Sequence, residues 1–359
     1  MKWRFKLCTV TGIDVYLHLT FLLFVLWLGW SAYGASHNLI VMLSRLLLIA
    51  TIFGIVVLHE LGHALAARRY GIGTLDIVLY PIGGVARLER MPDDPRQELV
   101  VAIAGPVVNV VLALLALGGI LLLGQVERMY DISWDSGILV WLLAANLFLV
   151  VFNMLPAFPM DGGRVLRALL AMAMPYARAT SIAATIGQIM AVIFFILGLY
   201  TNPFLMLIAV VVWFGAADES ALAQMRAALR GIPISQAMIT RFQTLHPDDP
   251  LSIPVQHILL GVQHDFPVVE DGRILGIVTR AGLLQALETH GRDGHVRDAL
   301  QREFEIARPE ESLDQVFTRL QLTNSPAIFV LDNNRLVGVV TMENIGEFIR
   351  VQSAIKRVN

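Results

Sequence analysis

The sequence predicts a polytopic α-helical membrane domain of about six transmembrane helices, followed by a soluble α/β domain built from two repeats. Hydrophobic residues make up 56% of the 359 residues and mean hydropathy is +0.65, which exceeds the values of ordinary soluble domains. Residues 1–230 carry 28 charged side chains, and the shorter segment 231–359 carries another 28. A segment starting at Pro247 is repeated 62 residues later. We therefore predict two domains, residues 1–230 and residues 231–359.

Apolar stretches long enough to cross a bilayer, or nearly so, define the predicted spans. They lie at about 15–34, 43–67, 98–124, 137–156, 180–200 and 203–217, and the last is expected to continue as a helix beyond the membrane. The basic N-terminus followed by an apolar run also fits a secretory signal peptide. Asp14 and His18 interrupt that run and no small-residue cleavage site follows. A retained first span is therefore expected.

Lysine and arginine residues predict how the spans are oriented, because cytosolic loops carry an excess of them. They cluster on one side of six spans: Lys2, Arg4 and Lys6; Arg68, Arg69, Arg87, Arg90 and Arg96; Arg164, Arg167 and Arg178; Arg226 and Arg230. The opposite side has Arg45 and Arg128. We expect a multi-pass protein of the plasma membrane with both termini and the soluble domain in the cytosol.

The second span contains the run His59-Glu60-Leu61-Gly62-His63. The spacing places two imidazoles one turn apart on one helical face, which suits two nitrogen ligands of a zinc ion. The glutamate between them is placed to accept a proton from water. From Leu46 to Ala67 only these two histidines and Glu60 can carry charge. Ionisable groups in such an apolar helix are costly, which favours a functional role.

The loop between the second and third spans reads as two short extended segments. They are separated by Pro81-Ile82-Gly83-Gly84, a sequence typical of hairpin turns. Next to a metal, such a hairpin could dock an extended peptide as an added strand. A partly apolar connecting loop is the alternative.

A catalytic zinc usually has three protein ligands, so the two histidines require a third from elsewhere. The candidates are His18, His37, Asp76, Asp161 and Asp218. Asp161 is favoured because span four brings it to the depth of the histidines. Pro156 and Pro159 end regular helix before it, and Gly162 and Gly163 after it permit close backbone approach. His18 is expected to have a structural role or to contact one of the residues that bind the metal.

With these residues, the chain resembles the site-2 proteases, which are intramembrane zinc metalloproteases. The resemblance is to the bacterial and archaeal subgroup that has a C-terminal pair of cystathionine β-synthase (CBS) domains. The motif is Asn153-Met154-Leu155-Pro156-Ala157-Phe158-Pro159-Met160-Asp161-Gly162, with Met160 where leucine is common, and Gly105-Pro106-Val107-Val108-Asn109 is similar to a second recurrent element. The resemblance implies that His59, His63 and Asp161 hold zinc and that Glu60 is the base. It also implies that Asn153 steadies the substrate backbone or the oxyanion.

The function implied by the resemblance is cleavage of membrane-spanning protein segments, with the CBS pair as a regulatory or dimerisation module. Two alternatives stay open, a CBS-gated transporter or channel and a catalytically inactive protease that serves as a scaffold. Asn109 is either a site residue or a helix-packing residue, whereas packing is favoured for Asn146. Arg164 is interpreted as a membrane-boundary anchor.

Each repeat of the soluble domain reads helix, strand, turn, strand, helix, with turns at Asp271-Gly272 and Asp332-Asn333-Asn334. The repeats, about 231–290 and 291–359, resemble CBS motifs, which often bind adenine nucleotides. The resemblance implies Thr279, Thr341 and Asn344 as nucleotide contacts, but Gly282 replaces the ribose-binding residue of the first repeat. The prediction is either a nucleotide site or a ligand-free module for homodimerisation or gating.

The net charge of −2 gives no indication of nucleic-acid binding. The single Cys8 excludes an internal disulfide framework. The five histidines of the soluble domain show no metal-site clustering and are expected to be structural or at the surface.

Overall fold

The computed structural model describes residues 3–81, 83–92, 94–129, 137–261, 263–292, 294–323, 325–333 and 335–358. Lys2, Ile82, Asn334 and the side chain of Arg128, which the predictions above invoke, lie outside this part. The chain forms two compact units, Met1–Ala223 and Gln224–Asn359.

The first unit contains seven α-helices and four strands among its described residues, and the last helix continues past Ala223. They are β1 (Arg4–Val10), β2 (Ile13–His18), α1 (Leu19–Ser36), α2 (Leu39–Arg68), β3 (Thr74–Tyr80), β4 (Gly83–Leu88), α3 (Pro95–Leu122), α4 (Ile138–Asn153), α5 (Asp161–Ala171), α6 (Tyr176–Tyr200) and α7 (Pro203–Leu229). Side chains that accept backbone N–H groups define several helix starts, such as Asn38 for α2 and Asp94, followed by Pro95, for α3.

Helices α1, α2, α3, α6 and α7 are long and apolar enough to cross a membrane, and α4 is a shorter apolar helix of 16 residues. At 1.5 Å per residue, α4 spans about 24 Å, less than the roughly 30 Å hydrocarbon core. The predicted polytopic helical class is confirmed. The predicted helical extension of the last span is also confirmed, since α7 runs to Leu229.

The start of the first predicted span was wrong, because residues up to His18 form a strand and α1 begins at Leu19. A tight turn with positive φ at Thr11 and Gly12 folds β2 back onto β1. Ile13 and Val15 alternate onto one face and pack against α2. The period of two in this apolar run favours a strand over a helix.

The strands form one sheet in the order β1-β2-β3-β4, in which β2 and β3 are parallel and the other pairs are antiparallel. The predicted hairpin between the second and third spans is confirmed as β3 and β4. Leu61 and Ala64 of α2 pack against Ile77 of β3. The sheet is therefore fixed to the helix that carries the two histidines.

The second unit contains the two predicted repeats. Its elements are α8 (Ser252–Leu259), β5 (Phe266–Glu270), β6 (Arg273–Val278), α9 (Arg280–His290), β7 (Glu305–Ala307), α10 (Leu313–Thr323), β8 (Ala327–Asp332), β9 (Arg335–Thr341) and α11 (Met342–Val358). Each repeat has the expected order of helix, strand, strand, helix. Asp271 and Gly272 have positive φ, as the predicted turn requires.

The two repeats are joined by reciprocal backbone hydrogen bonds. Ile239, ahead of the first repeat's strands, pairs with Val339 of β9, and Gln301, ahead of the second repeat's strands, pairs with Ile277 of β6. Both pairs are related by the same 62-residue offset as the sequence repeat. Each repeat thus completes the sheet of the other, so neither is expected to be stable alone.

Candidate active site within the membrane helices

His59 and His63 lie on one face of α2 and are both 4% exposed. Their Nε2 atoms are 3.1 Å apart, and their ring planes cross at 82°. The two nitrogens therefore point towards one position rather than into separate contacts.

Asp161 is the first residue of α5 and is 7% exposed. Its Oδ2 lies 3.1 Å from Nε2 of both His59 and His63. The turn before it is tight, since a Cβ at Gly163 would lie 2.7 Å from the backbone carbon of Ala157. Gly162 likewise packs against backbone carbonyls. The two glycines explain how the chain brings Asp161 to the histidines.

The other ring nitrogens of the two histidines face hydrogen-bond acceptors. Nδ1 of His63 lies 2.7 Å from the carbonyl oxygen of Val101, and Nδ1 of His59 lies 2.5 Å from Oδ1 of Asn109. A carbonyl oxygen can only accept, so each Nδ1 carries the proton and donates it. In the neutral rings this leaves Nε2, on the side of Asp161, as the nitrogen available to a metal.

Helix α3 closes the site through Gly105. A Cβ at this position would lie 2.8 Å from Cε1 of His59 and would also collide with Nε2 of His63. Only glycine leaves room there for both rings. The motif that contains Gly105 is visible in the sequence, but nothing in the sequence indicates this contact with the histidine rings.

The three donor atoms fit a zinc ion. Ligand atoms held tetrahedrally at about 2.0–2.1 Å from zinc lie about 3.3 Å apart, close to the three separations of 3.1 Å. Two neutral imidazoles and a carboxylate are a typical donor set for catalytic zinc. In the part of the chain that the structure describes, His59, His63 and Asp161 are the one such cluster of histidine, cysteine and acidic residues.

Glu60 projects from α2 towards β4 and is half-buried. Its Oε2 accepts a hydrogen bond of 3.0 Å from the backbone N–H of Ala86. Gly84 lies close by, where a Cβ would be 3.0 Å from Cγ of Glu60. The carboxylate therefore lies between the histidine helix and the adjacent strand.

Asn153, the other residue expected to act on substrate, is the last residue of α4 and is half-buried. It precedes the turn that leads to Asp161. Its contact with the substrate stays a prediction.

The remaining ligand candidates lie elsewhere. His18 caps α1 and contacts the Tyr80 ring, which fits the structural role expected of it. His37 ends α1, and Asp218 is exposed on α7. Asp76 is buried in an ion pair with Arg4 at 2.5 Å and also pairs with Arg87. Hydrogen bonds to Asp76 raise the pKa of the Arg87 guanidinium above its ordinary value.

A buried polar cluster that the sequence analysis missed holds α5 in place. Arg167, counted above among the loop cations, is 1% exposed and donates from Nε to Oε1 of Glu98 in α3 at 2.7 Å. It also pairs with Glu219 of α7, and its guanidinium lies 5.0 Å from the Phe158 and Tyr176 ring centroids. The opposite charges of Arg167, Glu98 and Glu219, in segments that are otherwise largely apolar, were the feature of the sequence that could have indicated this cluster.

Arg167→Met should lower the thermal midpoint of the detergent-purified protein. Glu98 would be left buried without its counter-charge, a change that costs about 3–5 kcal/mol. Arg178→Met, an exposed position on α6, is the control and should change the midpoint little. Equal midpoints for the two variants, read by tryptophan fluorescence, would contradict this role of Arg167.

The residues expected to contact a nucleotide in the second unit also have local structural roles. Thr279 and Thr341 accept the backbone N–H groups of Gly282 and Asn344 at 3.0 and 3.2 Å. The space beside Gly282 is partly filled, because Nε2 of Gln301 lies 3.4 Å from a Cβ built there. Oδ1 of Asn344 is buried and has no hydrogen-bond partner among the described residues. The two repeats therefore differ at corresponding positions.

Comparison with known proteins identifies both parts of the chain. The family model "Peptidase family M50" matches residues 47–133 and 116–197, and the CBS domain model matches residues 234–289 and 296–350. A zinc metalloprotease of Methanocaldococcus jannaschii, MJ0392, is 33% identical over 348 residues, which is 96% of each chain. The putative zinc metalloprotease Rip3 of Mycobacterium tuberculosis is 29% identical over 82% of this chain and 77% of its own length.

Among solved structures, the site-2 protease of Methanocaldococcus jannaschii is similar, with 36% identity, a TM-score of 0.45, and coverage of 61% of this chain and 95% of that one. The family matches and the full-length relative confirm the resemblance inferred from the motifs, and they favour a protease over a gated transporter. The chain belongs to peptidase family M50, the site-2 proteases, and is a multi-pass zinc metalloprotease with a C-terminal CBS pair.

Proposed function

We propose that His59, His63 and Asp161 are the zinc ligands of an intramembrane endopeptidase in which Glu60 is the base. The observation that carries this assignment is the convergence of their three donor atoms at 3.1 Å from one another. The modules that carry protease and regulatory function are proposed to be residues 1–230 and 231–359, with repeats at about 231–290 and 291–359.

Zinc bound at this site would polarise the scissile carbonyl and lower the pKa of water towards neutrality. Glu60 accepts the proton of the attacking water and passes it to the leaving amine. The N–H of Ala86 holds the carboxylate in place, which limits its conformations before substrate arrives. Asn153 donates to the negative charge that develops on the carbonyl oxygen.

The substrate is proposed to be a membrane-spanning segment that unwinds locally, because helical hydrogen bonds hide the carbonyls that must be attacked. Strand β4 supports a docking mode for such a segment, since it lies at one edge of the described sheet. An extended segment added beside β4 would run past Glu60, which already contacts Ala86 of this strand. Helix-breaking residues near the cleavage site are therefore expected.

The membrane orientation is proposed from the distribution of lysine and arginine. Leaving the buried Arg167 aside, their excess still lies on the side of the β1–β2 hairpin, the α2–α3 connection and the end of α7. We propose that this side is cytosolic and that the membrane is the plasma membrane. The metal site then opens towards the cytosol, from which the reaction draws its water.

Asp161→Ala should reduce bound zinc from one ion per chain to far below that ratio, because two imidazoles alone make a weak site. Zinc content is measured on the purified full-length protein. Asp218→Ala, an exposed aspartate on α7, is the matched control and should keep one zinc. Full zinc occupancy in the Asp161 variant would overturn the assignment.

We further propose that the CBS pair binds one adenine nucleotide, at the second repeat. The unpartnered Oδ1 of Asn344 supports this, since a ribose hydroxyl would supply its missing donor. In the first repeat Gly282 has no side chain to contact a ribose, and the space beside it is partly filled, which disfavours an equivalent site there. A ligand-free module that forms a homodimer is the alternative.

Asn344→Ala should lower the affinity for AMP or ATP at least about tenfold, the effect of losing roughly 1.4 kcal/mol of hydrogen bonding. Calorimetric titration of the full-length protein measures it. Thr289→Ala, whose hydroxyl bonds only within its own helix among the described contacts, is the control. Absence of binding by the wild type would favour the dimerisation module, which mass photometry then tests.

A further inference from the structure

Two asparagines are fully enclosed in the apolar helices beside the proposed zinc site. Asn109 of α3 is 0% exposed and Asn146 of α4 is 1% exposed. Burial of an amide without hydrogen bonds is costly, so such residues are expected to be paired. Their partners connect them to His59.

The side chains form a continuous chain of hydrogen bonds. Asn146 donates from Nδ2 to the carbonyl oxygen of Leu142 at 2.8 Å, and Asn109 donates from Nδ2 to Oδ1 of Asn146 at 2.8 Å. His59 then donates from Nδ1 to Oδ1 of Asn109 at 2.5 Å. All three hydrogen bonds are donated in the same direction, from His59 towards Asn146, and the chain ends at the backbone carbonyl of Leu142.

The backbone carbonyl fixes the direction of the whole chain, because it accepts and never donates. Leu142 therefore requires the Nδ2 of Asn146, which leaves Oδ1 of Asn146 facing Asn109. Asn109 must then turn its own Nδ2 to Asn146 and its Oδ1 to His59. A flip of either amide would set donor against donor or acceptor against acceptor.

His59 and His63 differ in how their protonation is set. The Nδ1 of His63 faces the carbonyl of Val101, a partner with only one polarity. The Nδ1 of His59 faces an amide that could present either its oxygen or its nitrogen. If Asn109 were flipped, its Nδ2 would favour a proton on Nε2 of His59, the atom that must bind metal.

The surroundings of Asn146 offer its amide few other hydrogen-bond partners. It lies at the base of an open groove of about 470 Å³ between α2, α3 and α4, whose walls are mostly aliphatic, including Ile55, Leu58, Leu115 and Leu139. These walls offer the Asn146 amide no polar partner, and its hydrogen bonds run to the Leu142 backbone and to Asn109.

We propose that Asn146 is a positioning residue that fixes the amide of Asn109 and, through it, keeps Nε2 of His59 free for zinc. Among the described residues, the hydrogen bonds of Asn146 run to Asn109 and Leu142 and not to a proposed zinc ligand. The inference rests on the proposed zinc-ligand role of His59.

The test compares zinc affinities, measured by chelator competition, in a double-mutant cycle on the full-length protein. Asn146→Leu should weaken zinc binding about tenfold, within the range of about 10–100-fold typical for residues that orient metal ligands. The adjoining open groove has room for the larger side chain. Asn109→Leu, which removes the acceptor itself, should weaken binding at least as much.

Asn109→Asp provides the decisive background. A carboxylate accepts from Nδ1 of His59 through either oxygen, so its orientation no longer matters. In this background Asn146→Leu should change zinc affinity by less than about twofold. An equal loss in the wild-type and Asn109→Asp backgrounds would show that Asn146 acts only through packing and would overturn the proposal.

If Asn109→Asp does not fold, the Asn109→Leu background serves the same purpose, because Asn146 then has no amide to orient and its replacement should again have little effect. No loss of affinity for Asn146→Leu alone would also overturn the proposal. If the zinc-ligand assignment itself were wrong, Asp161→Ala would leave zinc affinity unchanged. This result distinguishes a wrong zinc site from a wrong role for Asn146.

Discussion

Glu60→Gln is expected to lower cleavage of a helical membrane substrate by about 10²–10⁴-fold, the usual contribution of a general base. Zinc content should stay at one ion per chain, because the proposed zinc ligands, His59, His63 and Asp161, are unchanged. The glutamine oxygen can still accept the N–H of Ala86, so the contact between α2 and β4 survives. Cleavage of a reconstituted substrate and zinc analysis together measure the effect.

Glu89→Gln is the matched control for this experiment. Glu89 also accepts a backbone N–H, that of Gly73, but it lies in an exposed position beyond β4. Its replacement should leave cleavage close to the wild-type rate. Substantial activity in the Glu60 variant would remove Glu60 from the role of base, and loss of zinc would point instead to a structural function.

Gly105→Ala is expected to weaken zinc binding by more than about 100-fold, beyond the effect of changing a residue that only orients a ligand. The added methyl group would lie 2.8 Å from Cε1 of His59 and would collide with Nε2 of His63. Both rings would have to move away from the position where their lone pairs meet. Chelator competition measures the affinity, and cleavage should fall in parallel.

Gly118→Ala in the same helix is the control for Gly105→Ala, because nothing lies within 4 Å of a Cβ at that position. Both replacements raise helix propensity equally, so the difference between them reports on the collision alone. Zinc affinity near the wild-type value in the Gly105 variant would mean that the histidine rings adopt another arrangement when zinc binds.

The proposed zinc ligands could be found from sequence because their signals are local. His59 and His63 are one helical turn apart, and Asp161 follows a break marked by prolines and glycines. The residues that position these ligands are harder to find from the sequence. Asn109, Asn146 and Gly105 act through contacts between helices, which spacing along the chain does not reveal.

The same distinction holds for the fold. Long apolar runs predicted the helices, and the short hairpin of β3 and β4 was visible from its turn. The pairing of β2 with β3 joins segments separated by two helices, so nothing local indicated it. Similarly, the repeat in the second unit was evident, but the reciprocal pairing of Ile239 with Val339 and Gln301 with Ile277 depends on tertiary contacts.

The most direct test of the proposed site is a zinc anomalous-difference map from crystals of the full-length protein. The proposed assignment predicts one peak about 2.0–2.1 Å from Nε2 of His59, Nε2 of His63 and an oxygen of Asp161. A peak at another position, or one with Asp161 beyond coordination distance, would contradict it.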